Sequence, residues 1–281
     1  MLEELIDALL YEGYALYPYT PGAAKNATPT PFGILYPPAY AASRPATFDH
    51  LRMDVGLAPV PDATLQAEVR FLQAGAPEND ERGVERRVEL PFTPLADLCG
   101  DGVGVEFAFD GLTGRIRMRA EMVGDQLARV RVCVHNTTPL ASAAAAGRGR
   151  ALQDSLISTH PIARAPGSMF KSATDHPEWT SVNTFPVLAT PEDDTVLGAA
   201  IVLPDHPQIA PESRGSLFDG TEIEEALLLH VHTLSDCERE AIAEGDPAVR
   251  AMVERAVATT PEDMLRLHGR LELRDPVKGE S

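Results

Sequence analysis

Alternation of apolar and polar residues with period two begins at Thr64. In TLQAEVRFL, residues 64–72, Leu65, Ala67, Val69 and Phe71 fall on one side and Gln66, Glu68 and Arg70 on the other, the pattern of a strand with one face in a core and one in water. VERRVELPF, residues 84–92, is its expected neighbour across the polar turn AGAPENDERG. Three further runs follow: VGVEFAF (103–109), RIRMRAEMV (115–123) and LARVRVCV (127–134). Asp110-Gly111 with Gly114, and then Gly124-Asp125, separate them, which predicts an antiparallel meander. With Phe107 and Phe109 inward beside Ile116 and Met118, Glu106 stands opposite Arg119, and a three-residue turn at Gly124 sets Glu121 opposite Arg129. Arg115, Arg117 and Arg131 leave that outer face locally basic, so it reads either as a solvated surface or as a docking face for an acidic segment.

Outside the meander the period changes. Residues 2–10 form an amphipathic helical stripe, and residues 139–151, PLASAAAAGRGRA, read as a low-complexity flexible connector. A short strand is expected at SLIST, proline-rich loops run to Ser181, and strands resume at 182–189, 196–203 and 225–234. The run VLGAAIVL (196–203), apolar on both sides, belongs in the middle of a sheet. Ser235 with Glu238, Asp246-Pro247 and Thr260-Pro261 punctuate three short C-terminal helices. Many strands followed by helices predict an α+β, mainly β fold: an antiparallel β-sandwich-like core with short C-terminal helices and an extended Tyr/Pro-rich N-terminal arm. The divisions fall at 1–45 (helix and arm), 46–138 (meander), 139–181 (connector and loops) and 182–281, the last forming one compact unit with the meander.

The arm holds all six tyrosines of the chain, Tyr11, Tyr14, Tyr17, Tyr19, Tyr36 and Tyr40, interleaved with six prolines. Proline fixes φ and biases the preceding residue to extended geometry, so Tyr11 to Tyr40 reads as a stiff ribbon. It serves either as a strap over the core or as a recognition surface. Tyr11 and Tyr14 are expected to pack inward, while Tyr17, Tyr19, Lys25 and Asn26 are the partner-binding candidates.

Charge narrows the field. A net charge of −18, from 42 acidic and 24 basic residues, argues against nucleic acid or an anionic membrane as the main partner. No apolar run reaches about 18 residues, so no membrane span is expected. Glu3, Glu4 and Asp7 stand where a signal peptide would be basic or uncharged. Cys99, Cys133 and Cys237 form no CxxC pair and read as reduced thiols of a cytoplasmic protein. His230 and His232, two apart on a strand, put both imidazoles on one face and are the metal candidates. Asp219, Glu222 and Glu224 are near them in the chain alone, and a site needs three or four ligands. Ser155 or Ser158 with His160 suggests a nucleophile and base, without the GxSxG turn that exposes such a serine. GDGVG (100–104) opens a strand rather than a helix and is a turn. No cofactor is implied.

The segments LLYEGYALYPYTPGAAKN, FGILYPPAY and SLFDGTEIEEALLLHVHTLSDCE resemble a family of uncharacterised proteins associated with NiFe-hydrogenase gene clusters. At 27–31 the chain has ATPTP where that family is more basic and aromatic. The resemblance implies a non-catalytic accessory or assembly protein whose partners are hydrogenase subunits or maturation factors. The residues themselves keep two other readings open: a metal-dependent hydrolase using the His-x-His pair, and a β-sandwich that binds carbohydrate through its tyrosines.

Overall fold

A computed structural model describes residues 2–16, 33–74, 83–140 and 147–208, with isolated positions between 250 and 260. Two antiparallel sheets face each other. The first is built from β1 (His50–Ala58), β5 (Val103–Phe109), β6 (Leu112–Gly124), β7 (Leu127–Asn136) and β9 (Met169–Phe170), in the order β5-β6-β7-β1-β9. The second runs β10-β11-β8-β2-β3, from β2 (Thr64–Gln73), β3 (Val84–Glu89), β8 (Ile157–Arg164), β10 (Phe185–Leu188) and β11 (Thr195–Ala199), with β4 (Thr93–Pro94) beside β2. Between them lies the main core: Met53, Val55 and Leu57 of β1, Leu65, Ala67, Val69 and Phe71 of β2, Ile116 and Met118 of β6, and Val130, Val132 and Val134 of β7. The alternation read from the sequence is what assigns these side chains to one face. The result is the mainly β sandwich with few short helices that the order of elements predicts.

The two sheets differ in what covers their outer faces. Helix α1 (Leu2–Leu16) lays Leu5, Ile6, Leu9 and Leu10 on the second sheet, against Leu72, Ile157, Ile162, Val187 and Leu197. Both faces of β8 and β11 are therefore buried. The same cover overturns the expected solvent face of β2, for Glu68 and Arg70 are 0% and 4% exposed. Arg70 donates from Nε to Glu85 Oε1 (2.7 Å) and from Nη1 to Glu3 Oε2 (3.0 Å), and it also pairs with Asp7. Glu68 accepts from Arg164 Nη1 (2.7 Å) and pairs with Arg87 Nε (2.7 Å). A buried charge is tolerable when every charge around it is matched, and here acids of the helix meet a base of the sheet.

Several expectations change. The helix continues to Leu16, so the backbone at Tyr11 and Tyr14 is helical and the ribbon does not begin there. Tyr36 and Tyr40, the latter in the short helix α2 (Pro38–Ala41), are 1% and 5% exposed and stack at 5.1 Å. They pack with Ile34 and with Ala151 and Leu152 of α3 (Arg148–Gln153), so part of the alanine-rich connector is helix docked on the arm. These two rings are a strap, which removes them from a carbohydrate-binding surface. In the meander, Asp110 and Gly111 (φ 43° and 87°) form a two-residue turn that starts β6 at Leu112. Glu106 consequently faces Arg115, not Arg119. The pairing of Glu121 with Arg129 is as read from the sequence. The strand at 225–234 and the helices expected after Ser235 and Thr260 lie outside the described residues, while in the stretch after Asp246-Pro247 the described positions Arg250, Glu254, Val257 and Ala258 are helical. Among the described residues no helix is long and apolar enough to cross a membrane.

Candidate functional site, an arginine-lined sheet face

The outer face of the first sheet carries an ordered grid, because alternate residues of four paired strands point the same way. Reading from β6 through β7 to β1, the rows are Arg115–His135–His50, Arg117–Cys133–Arg52, Arg119–Arg131–Asp54 and Glu121–Arg129–Gly56. On β5, Glu106 flanks Arg115 and Gly104 flanks Arg117. Six arginines thus share this surface with Asp54, Glu106 and Glu121, in a chain of net charge −18.

Asp54 organises half of the grid. Its side chain is fully buried; Oδ1 accepts from Arg129 Nε (3.0 Å) and Arg131 Nε (2.8 Å), and Oδ2 accepts from Arg131 Nη2 (3.2 Å). Arg52 Nε lies 3.0 Å from Oδ2 without the alignment of a hydrogen bond, and its Nη2 donates to Thr180 O at 2.9 Å. One carboxylate cannot neutralise three guanidinium groups, so the cluster stays cationic. Hydrogen bonding to Asp54 raises the pKa of Arg131, partly offset by its burial, so it holds its proton more firmly still.

The other half has less to hold it. Arg115 and Arg119 make no hydrogen bond or ion pair among the described residues, and Arg119 stands directly opposite Arg131. Arg117 donates from Nη2 to Asp101 O at 2.8 Å and so leans across Gly102 and Gly104 toward the sheet edge. A Cβ at Gly104 would lie 2.9 Å from Ile116 O, and at Gly102 2.6 Å from Met118 O. These bare positions leave an open groove of about 640 Å³ lined by Asp101–Glu106, Arg115, Arg117, Arg119, Arg131, Cys133 and His135. At the far rim, Trp179 stacks on His176 at 4.1 Å, sits over Gly56, and has Arg129 5.5 Å from its ring centre.

His135, stacked on His50 at 5.3 Å, has its pKa lowered by burial, then by Arg115 and His50, and adds no cation. Burial pushes the Cys133 thiol up, against the pull of Arg131, so it is not an activated nucleophile.

Sequence candidates elsewhere fare differently. Ser158 and His160 do meet, with Oγ 3.2 Å from Nε2, but they are 1% and 0% exposed beneath α1. The hydroxyl is also 3.1 Å from Leu9 O, and His160 Nδ1 is 3.2 Å from Gly198 O, so the pair ties helix to sheet. Burial lowers the His160 pKa to about 4, which keeps the ring neutral. Ser155 bonds back to Ala151 O at 2.6 Å. Tyr17, Tyr19, Lys25, Asn26, His230 and His232 all lie outside the described residues, and among the described ones no cluster of His, Cys, Asp or Glu could hold a metal. The sequence reading missed Arg52 and Asp54, although His50, Arg52 and Asp54 alternate with Leu51, Met53 and Val55. That alternation was the signal. No protein-family model and no curated protein matches this chain.

Proposed function

We propose that the protein is a non-catalytic binding protein that docks an acidic segment of a protein partner on the arginine face. The observation that carries this is Arg119, without a hydrogen bond or ion pair among the described residues and opposite Arg131, beside an open groove in a strongly acidic chain. Like charges facing each other across a ladder destabilise it, and carboxylates placed between them reverse the sign. Arginine–carboxylate pairs are strong and directional, so such a face selects acidic ligands rather than merely tolerating them. The resemblance to proteins of NiFe-hydrogenase gene clusters supports an accessory role, with hydrogenase subunits or maturation factors as the partners. A cytoplasmic setting fits Cys99 and Cys133, which are free thiols.

The test is fluorescence anisotropy with a labelled Glu-rich peptide. The double variant Arg117→Glu, Arg119→Glu should keep the parent's melting transition and lose binding at least tenfold. Binding at parental strength by that folded variant would overturn the proposal.

A further inference from the structure

Among the described residues the two sheets end in four edge strands, which are not equally defended. Unpaired backbone groups at an edge invite another strand, and proteins discourage this with charges, proline or brevity. On the second sheet, β3 reads VERRVE and carries Glu85, Arg86, Arg87 and Glu89, while β10 has Pro186. On the first sheet, β9 is two residues long. The remaining edge, β5, is VGVEFAF: seven residues, no proline and one charge.

Which backbone groups of β5 face outward follows from its hairpin. The two-residue turn makes Phe109 and Leu112 a hydrogen-bonded pair, so Phe107, Val105 and Val103 also bond to β6 while Ala108, Glu106 and Gly104 direct N–H and C=O away from it. The close approach of Ile116 O to a Cβ at Gly104, and of Met118 O to one at Gly102, shows those carbonyls aimed at β5, as this phase requires. The outward groups of Gly104, Glu106 and Ala108 have no partner among the described residues.

We infer that the acidic partner binds as an added strand on β5, an extended segment of alternating acidic and apolar residues. This rests on the arginine-face reading and specifies its mode. Main-chain bonds to Gly104, Glu106 and Ala108 supply the pairing, and alternate side chains of the ligand fall on opposite faces. On the outer face they reach over the bare backbone of Gly102 and Gly104 to Arg117, already inclined toward that edge, and to Arg119. On the inner face they meet Val105, 37% exposed at the open border of the core, and half-buried Phe107.

The probe is a fluorescein-labelled peptide of alternating Glu and Val, with a peptide of the same composition in separate Glu and Val blocks as control. Glu106→Pro removes one outward N–H without touching the β6 ladder, and Glu106→Ala removes the same carboxylate but keeps that donor. Glu106→Ala should bind the alternating peptide as tightly as the parent or more tightly, Glu106→Pro at least tenfold more weakly, and the block peptide should bind the parent at least tenfold more weakly. Equal affinity of the two Glu106 variants would overturn strand addition; loss of binding in Arg117→Glu, Arg119→Glu would then still uphold docking on the face, and its retention would overturn that as well. Should Glu106→Pro unfold, the parent protein is titrated with peptides N-methylated on one or the other set of alternate residues. One set should abolish binding and the other should not, and equal binding of both would overturn the inference.

Discussion

Arg119 and Asp54 sit two strands apart in one row of the grid, yet their replacement should act in opposite directions. Arg119→Glu exchanges a repulsion with Arg131 for an attraction, so a urea titration should show stability unchanged or raised by about 0.2 to 1 kcal/mol. Asp54→Asn leaves three arginines around an uncharged group and should destabilise by roughly 2 to 4 kcal/mol, less than for a fully buried pair because the arginines stay partly hydrated. A third residue sets a pH dependence. The folded pKa of His160, about 4, is below its ordinary 6.5, so its contribution is complete above about pH 6.5 and is lost as the pH falls toward 4, where the unfolded chain takes up a proton that the folded one refuses. The loss is on the order of 3 kcal/mol over that window. Urea titrations at about pH 7 and about pH 4.5 should show His160→Asn less stable than the parent at the higher pH and visibly flatter between the two; parallel losses would mean that the ring protonates in place.

Elements were legible wherever one period ran long enough. β2, β5, β6 and β7 were read correctly as strands because five or more alternations fix a face, and the basic character of β6 and β7 came with them. Pairing was harder: Asp110-Gly111 alone turns the chain, and treating Gly114 as part of the turn slipped Glu106 by two register positions on its own face. The half-buried reading of β2 failed for a different reason. Alternation says that Glu68 and Arg70 point away from the core, but not that a helix some sixty residues earlier covers them. Alternation could have put Asp54 on the outer face, but its burial was not legible, because nothing in LRMDV tells a buried acid from an exposed one until the arginines of β7 are placed beside it. That cover makes α1 a structural element in its own right. Ile6→Ala should cost about 2 to 4 kcal/mol by leaving a cavity over Leu72 and Ile162, measurable by the midpoint of urea unfolding.

At the scale of the molecule, charge is distributed against its sum. A net −18 repels an acidic ligand from afar while the arginine face attracts it on contact. Raising the ionic strength from about 0.01 to about 0.15 M shortens the screening length from about 30 to about 8 Å, so it weakens the distant repulsion first. Stopped-flow mixing with an acidic peptide should therefore show association becoming faster with salt over that range, the reverse of ordinary steering, while dissociation also quickens. Association that slows throughout would mean that the face dominates the far field. The same face holds the chain's single tryptophan, Trp179, stacked on His176 and within reach of Arg129. The molecule accordingly carries an intrinsic fluorophore at the rim of its basic surface, stacked on an imidazole and close to a guanidinium. A titration followed by that emission, with no label attached, would report events at this face without background from any second indole.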